Sequence, residues 1–322
     1  VIAQLKLPLV NSTAQVAGLS GGSVDTKTYL ADELSIGDVS LNHPVFYSIT
    51  IPQLKQLGIY GAIGFELFSR LITRADYEHH QLTLSDPAQF SYSGNGQVFH
   101  LQNDPQQLIV AARIGKASGN FNLDSGSLGT SGITLNSWFV KQYSLRRRFV
   151  RHYTGVFSLG ADGKGPQATI ERIPPLCFDT ICIAHHVAEL STGNSNSPYA
   201  GRIGLDILRR FTYTIDWQHR SIYLEKSSQW DRPNIYDTSG VITELDDTTS
   251  KLKVIQIMPH SPGQRAHLKV GDVILLVDGH KPIPSITSDD PAFEQAEGTT
   301  IQLTIQRGSQ TLQLPLTLKD IL

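Results

Sequence analysis

Residues 61–84, GAIGFELFSRLITRADYEHHQLTL, recur 140 positions later as residues 201–224, GRIGLDILRRFTYTIDWQHRSIYL. Gly61/Gly201, Ile63/Ile203, Gly64/Gly204, Arg70/Arg210, Asp76/Asp216, His79/His219 and Leu84/Leu224 are identical, and most positions between them keep an apolar or aromatic character. Two lobes of common design are therefore implied. The likeness extends upstream, where LSIGDVSLNH at 34–43 lines up with LCFDTICIAH at 176–185. Both stretches read as hairpins with apolar residues at every second position. Each lobe is expected to run through a hairpin, a loop, an Ile-Gly pair, a short helix and a closing pair of strands. Short β-branched or aromatic runs between Gly, Asn and Ser clusters make the chain mostly β. Helices are expected near 137–143, with Asn136 or Ser137 as the cap, and from Glu66 and Asp206.

Asp124-Ser125-Gly126-Ser127 has no second copy. An apolar run at 109–114, a turn at 115–119 and a strand-like 121–123 precede it, so a hairpin delivers Asp124 at a strand end. Counting back by the repeat interval lands upstream of Val1. A carboxylate placed this way suggests a definite chemistry. Two acids held about 3 Å apart cannot both ionise, so one activates water while the other, protonated, polarises a carbonyl. A hydroxyl residue followed by Gly suits such a loop, the first bonding locally and the second accepting tight backbone geometry. Asp25-Thr26-Lys27 and Asp179-Thr180-Ile181 lack the Gly and fall in flap or hairpin positions, so they read as ordinary turn residues.

A formal charge of −2 and a pI near 6.6 give the chain no general attraction for nucleic acid or anionic lipid. Arg146-Arg147-Arg148 with Arg151 reads as a solvated turn. No apolar run approaches the roughly 20 residues of a membrane span. If Asp179-Thr180 makes a two-residue turn, Cys177 lies opposite Cys182 at a separation that suits a disulfide and equally two packed thiols. His79-His80 and His185-His186 lack the spacing of a metal site, and there is no Gly-x-Ser-x-Gly elbow. No metal or cofactor is expected.

The Asp124 loop, its hairpin and the duplicated Ile63-Gly64 and Ile203-Gly204 resemble the bacterial aspartic proteases of pepsin or retropepsin type that carry a C-terminal PDZ domain. The resemblance implies two pseudo-symmetric β lobes, residues 1–100 and 101–228, the first N-terminally truncated and lacking its acid loop. It makes Asp124 a catalytic acid supported by Ser125 and Gly126, with the Ile-Gly pairs as braces and 18–22 and 155–165 as flap hairpins. Residues 1–5 resemble the segment that follows an acid loop, as 133–135 follow Asp124. The activity implied is endopeptidase cleavage of a protein or peptide substrate in a bacterial cell-envelope setting. With the first acid expected upstream of Val1, residues 1–322 alone would be inactive. The alternative is a non-catalytic peptide-binding or adaptor protein that uses the cleft and the PDZ groove.

Composition shifts at 225–233, where charge, Trp230 and Pro233 interrupt any apolar period, and a third unit is expected over 237–322. Its segment SPGQRAHLKVGDVILLVDG at 261–279 resembles the PDZ pattern of bacterial proteases. Pro262 suits a first helical turn, Gly271 a helix end, 273–277 a strand and Asp278-Gly279 a turn. PDZ domains take a peptide C-terminus as an added edge strand. By resemblance, Gly240, Val241 and Ile242, following Ser239, would hold the carboxylate, and a helix at 291–296 capped by Asp290 would face them.

Overall fold

The computed structural model of the chain describes residues 2–17, 23–49, 59–127, 131–146, 153–157, 165, 167–184, 186–193, 197–232, 236–245, 251–282 and 293–322. A short helix, α1 (Ile2–Leu5), precedes the hairpin of β1 (Leu9–Ala17) and β2 (Ser23–Leu30). A second hairpin pairs β3 (Glu33–Ile36) with β4 (Val39–Asn42), and β5 (Val45–Tyr47) adds to β2. Then come α2 (Phe65–Phe68), β6 (Ile72–Asp76) and β7 (Gln81–Ser85). The likeness of 1–5 to 133–135 does not extend to structure: Ile2–Leu5 is helical, with Leu5 61% exposed, whereas Ile133–Leu135 is a buried strand. Residues 18–22, expected as a flap tip, lie outside the described residues between β1 and β2.

After β8 (Gln97–His100), the second lobe opens with β9 (Leu108–Ile114), β10 (Ala117–Leu123), β11 (Ile133–Leu135) and α3 (Ser137–Gln142). It continues with β12 (Tyr153–Gly155), β13 (Ala168–Arg172), β14 (Leu176–Phe178), β15 (Ile181–Ile183) and β16 (Val187–Ser191). β17 (Gly201–Ile203), α4 (Leu205–Leu208), β18 (Phe211–Asp216) and β19 (Ser221–Lys226) close it. Nine of these strands form one sheet in the order β12-β13-β16-β11-β17-β10-β9-β14-β15. Phe121, Phe139, Phe178, Phe211, Ile114 and Leu135 are wholly buried in its core. The β9–β10 turn is tighter than expected, because Gly115 takes φ +57° and Ala117 already pairs with Ile114. Asn136 stands at the N-cap of α3 without capping it; its side chain instead donates to Tyr199 O at 2.8 Å.

β6 and β18 join the two halves of the repeat. They lie at the middle of a five-stranded sheet, β7-β6-β18-β19-β8, paired Tyr213↔Ala75, Thr214↔Arg74 and Ile215↔Thr73. Arg74 and Thr214 occupy the same place in the repeat, so the register maps onto itself when the copies are exchanged. The lobes are thus related by a local two-fold at this pair. The hairpin turns that follow are also duplicates: His79 Nδ1 lies 3.0 Å from Asp76 Oδ2, and His219 Nδ1 lies 2.8 Å from Asp216 Oδ2.

The earlier hairpins repeat as well. Ser35 pairs with Ser40 and Cys177 with Cys182 in matching registers; the serines share a hydrogen bond of 3.1 Å and the cysteines a disulfide. The question left open between bond and thiols is settled in favour of the bond. Closing so short a loop restrains the unfolded chain by about 2 kcal/mol. Replacing both cysteines with serine is therefore expected to lower stability by about that amount in urea unfolding while leaving the fold intact, since the first lobe already uses a Ser–Ser pair in this place.

The segment after β19 is packed down. Trp230 meets Phe211 at 5.3 Å between ring centroids, and Arg210 donates to Trp230 O and Arg232 O at 3.2 and 2.6 Å. Its duplicate Arg70 is exposed beside Glu66. Beyond it, β20 (Val241–Leu245), β21 (Leu252–Ile257), α5 (Pro262–Arg265), β22 (Val273–Val277), β23 (Thr300–Arg307) and β24 (Gln310–Thr317) form a five-stranded sheet in chain order. Ser261 caps α5 by accepting from Gln264 N at 3.3 Å. The helix ends at Ala266, so Gly271, at φ +94°, leads into β22 and does not terminate the helix. Asp278 and Gly279, at φ +47° and +80°, make the expected turn. The expected helix at 291–296 is not formed at 293–295, which are turn and bend; Asp290 and residues 291–292 lie outside the described residues.

Asp272 is 1% exposed and takes Arg307 Nε and Nη2 at 2.8 and 2.7 Å, with Lys269 N at 2.8 Å. Burial pushes its carboxyl up, but the Arg307 fork and the Lys269 N–H outweigh that and hold it below the usual range. Depression in the folded state means the stabilisation is present above the unfolded pKa of about 3.9 and is lost as pH falls through the folded value. Arg307→Met strands a buried charge and is expected to cost about 3 kcal/mol at pH 7. In urea melts the deficit should narrow below about pH 4, where Asp272 takes up a proton in both proteins.

Candidate functional site

Asp124 stands where β10 ends. Its N–H donates to Ile203 O at 2.9 Å, so the neighbouring strand β17 fixes the backbone, and β10 and β17 run parallel in register from Phe121↔Gly201 to Leu123↔Ile203. The carboxylate then folds back over its own loop: Gly126 N donates to Asp124 Oδ1 at 2.9 Å, and Ser127 N donates to Asp124 O at 3.0 Å. Gly204 and Leu205 brace the loop from behind, with Leu205 N on Ser127 O at 3.0 Å and Gly204 N on Gly132 O at 2.8 Å. The Ile-Gly spacing has its physical basis here. A Cβ on Gly204 would stand 2.5 Å from Ser127 O, and one on Gly201 2.1 Å from Thr134 O, so neither backbone could approach with a side chain present.

The loop faces the junction of the lobes. Tyr77 of the first lobe meets the Tyr213 hydroxyl at 3.1 Å, and Ser125 lies beside that hydroxyl. Burial, with Tyr77 beside it, pushes the Tyr213 phenol well above its ordinary range, Ser125 opposing. Asp124 Oδ2 has a neighbour the sequence did not announce: Arg202 Nε lies 3.1 Å away as a charge contact. The repeat held a clue, since Arg202 replaces Ala62 at the centre of an otherwise preserved Gly-x-Ile-Gly.

Among the described residues, the matching place in the first lobe is open. Ile203 is fully buried, whereas Ile63 is 49% exposed, and a Cβ on Gly61 or Gly64 would meet nothing within 4 Å among the described residues. β5 is likewise unpaired on one side among those residues, while its counterpart β16 pairs in parallel with β11. β11 and β10 fill this notch in the second lobe. Of the two decoys, Asp179, at φ +49°, lies in the β14–β15 turn as expected, whereas Asp25 and Thr26, expected as turn residues, lie within β2 and pair with Gln15 and Ala14 of β1.

Gly240, Val241 and Ile242 lie together at the start of β20, the outer strand of the C-terminal sheet, apart from Asp124 in the fold. Gly240 takes φ +66°, and a Cβ there would strike Ser261 Cβ at 2.3 Å. The carbonyls of Ser239 and Gly240 accept from Gly263 N and Met258 N, each at 2.8 Å, which fixes the loop against α5. Val241 N donates to Ser239 Oγ at 3.0 Å, so one of the amides expected to receive a carboxylate is already engaged. No helix among the described residues is long and apolar enough to cross a membrane.

Residues 240–318 match the family model of the PDZ domain. The chain is therefore a mainly β protein of two pseudo-symmetric lobes followed by a PDZ domain. Among curated proteins it is similar to serine protease HTRA1 of Xenopus tropicalis, 31% identical over 80 residues, which is 25% of this chain and 17% of that protein. The HTRA1 of Xenopus laevis is 30% identical over the same length and shares. The chain thus spans about a sixth of the curated relatives it matches, and the similarity falls in the PDZ region. Among solved structures, a retropepsin-like aspartic protease from Rickettsia conorii aligns with a TM-score of 0.31 at 15% identity, covering 42% of this chain and 96% of that one.

Proposed function

We propose that the chain is the larger part of an aspartic endopeptidase, with Asp124 as one of two acids and the PDZ domain as a site for peptide C-termini. The observation that carries the reading is the Asp124 loop itself: a carboxylate at a strand end, braced by Ile203-Gly204, with Ser125 beside Tyr213, whose hydroxyl meets Tyr77 of the first lobe. The local two-fold through Arg74 and Thr214 supports a second acid loop in the notch beside Ile63-Gly64. A strand and loop from outside residues 1–322 would fill it. In the filled protein the two acids would share one proton, one carboxylate drawing a proton from water as the other polarises the scissile carbonyl.

Arg202 favours a second reading, in which the cleft binds peptide without cutting it, because its charge already rests on Asp124 Oδ2. Protein carrying the missing strand and loop, supplied in the same chain, separates the two. Cleavage of an unfolded protein substrate between pH 3 and 7 that depends on Asp124 supports the endopeptidase. Peptide binding without cleavage favours the second reading.

A further inference from the structure

The PDZ domain leans on the second lobe with the side that carries β20. Gln256 Nε2 donates to Thr154 O at 2.6 Å, and Ile242 Cδ1 and Gln256 Oε1 stand 2.8 and 3.2 Å from where a Cβ on Gly155 would be. Ile242 and Gln256 are cross-strand partners on β20 and β21, so both side chains leave the sheet on one face. A second anchor lies on β13. Arg172 pairs with Asp320 and sits 5.5 Å over the Tyr236 ring, whose hydroxyl also reaches Asp320. Ile170, Val187 and Tyr236 bury an apolar patch there against Phe157, Ile321 and Leu322.

The two anchors are unequal. The Arg172 anchor is ionic, aromatic and apolar together, whereas among the described residues the contact at β12 consists of one neutral hydrogen bond and the fit of Ile242 and Gln256 over a glycine. β12 is also the end strand of its sheet, held in it by β13 alone. Strands of that kind open at low cost. Ile242, meanwhile, is one of the residues a peptide added along β20 would meet.

We infer that peptide capture on β20 and docking against β12 compete for Ile242, so that the PDZ domain is a clamp on the second lobe which its ligand releases. The inference rests on the peptide-binding reading above and adds to it the regulation of the lobe that carries Asp124. The ligand chemistry is an extended peptide ending in an apolar residue with a free carboxylate. Linkage makes the effect reciprocal: whatever holds β12 against Ile242 weakens the peptide by the same factor.

The test uses the full chain, its Gln256→Ala variant and its Gly155→Ala variant, titrated calorimetrically with peptides ending in Val, Ile or Leu, free or amidated at the C-terminus. Both variants loosen the β12 contact, and the free-acid peptides are expected to bind each of them about fivefold more tightly than the parent, the equivalent of one modest hydrogen bond. Hydrogen exchange at amides 153–155 should rise when peptide is added to the parent. Peptide that binds while leaving those amides unchanged or better protected, or that binds all three proteins equally, overturns the competition and spares the binding site. Peptide that binds none of the three removes the binding reading and the clamp's ligand with it.

Discussion

Gly201→Ala is expected to cost the second lobe about 3 kcal/mol or more, while Gly61→Ala, at the same place in the repeat, stays within about 0.5 kcal/mol. The sequence alone would treat the two as equivalent. In the structure a methyl group on Gly201 falls 2.1 Å from Thr134 O and 3.1 Å from Leu135 Cα, both backbone atoms of β11, so the strand cannot give way side chain by side chain. On Gly61 the same methyl meets nothing within 4 Å among the described residues. Trp138, Trp217 and Trp230 lie in the second lobe or just after it, which makes urea unfolding followed by tryptophan fluorescence a direct readout. A mild Gly201→Ala would contradict the close packing of β17 between its parallel neighbour β10 and its antiparallel neighbour β11. The comparison also probes the notch: once a strand occupies it, Gly61→Ala should become as damaging as Gly201→Ala.

The second large effect concerns chemistry without loss of fold. In protein with the notch filled, Asp124→Asn is expected to lower cleavage by at least about 10³-fold, the scale on which acid–base groups act. Asparagine keeps the shape and an oxygen to accept from Gly126 N, so the loop and its brace should survive. Peptide titration at the PDZ domain is the internal control and should not move. Cleavage that persists within tenfold of the parent would remove Asp124 from the reaction, whatever the state of the other acid.

Much of this architecture was legible before any coordinates. The repeat and its alternating apolar residues fix strand faces, which is why the β3–β4 and β14–β15 hairpins, the short helices after Gly64 and Gly204 and the closing strands fall where the pattern puts them. The acid loop was legible because a strand end, a hydroxyl and a glycine leave few other arrangements. The likeness of residues 2–5 to 133–135 did not carry over into structure, because sequence likeness holds no information about whether a neighbouring strand is present to pair with. Arg202 escaped because no spacing rule ties a residue on one strand to an acid at the end of the next. The seam at Ile242, Gln256 and Gly155 joins two units through tertiary packing, which local periodicity does not encode.

The open notch in the first lobe bears on how the polypeptide behaves at the bench. Val45 and Tyr47 stand exposed on β5 and Leu9 and Val10 on β1, the two end strands of their sheet among the described residues, and Ile63 is exposed as well. Unshielded edges flanked by greasy side chains recruit further chains. Concentrated stocks of residues 1–322 would accordingly self-associate through the first lobe, and a soluble β-hairpin supplied during refolding would act as a chaperone for that surface.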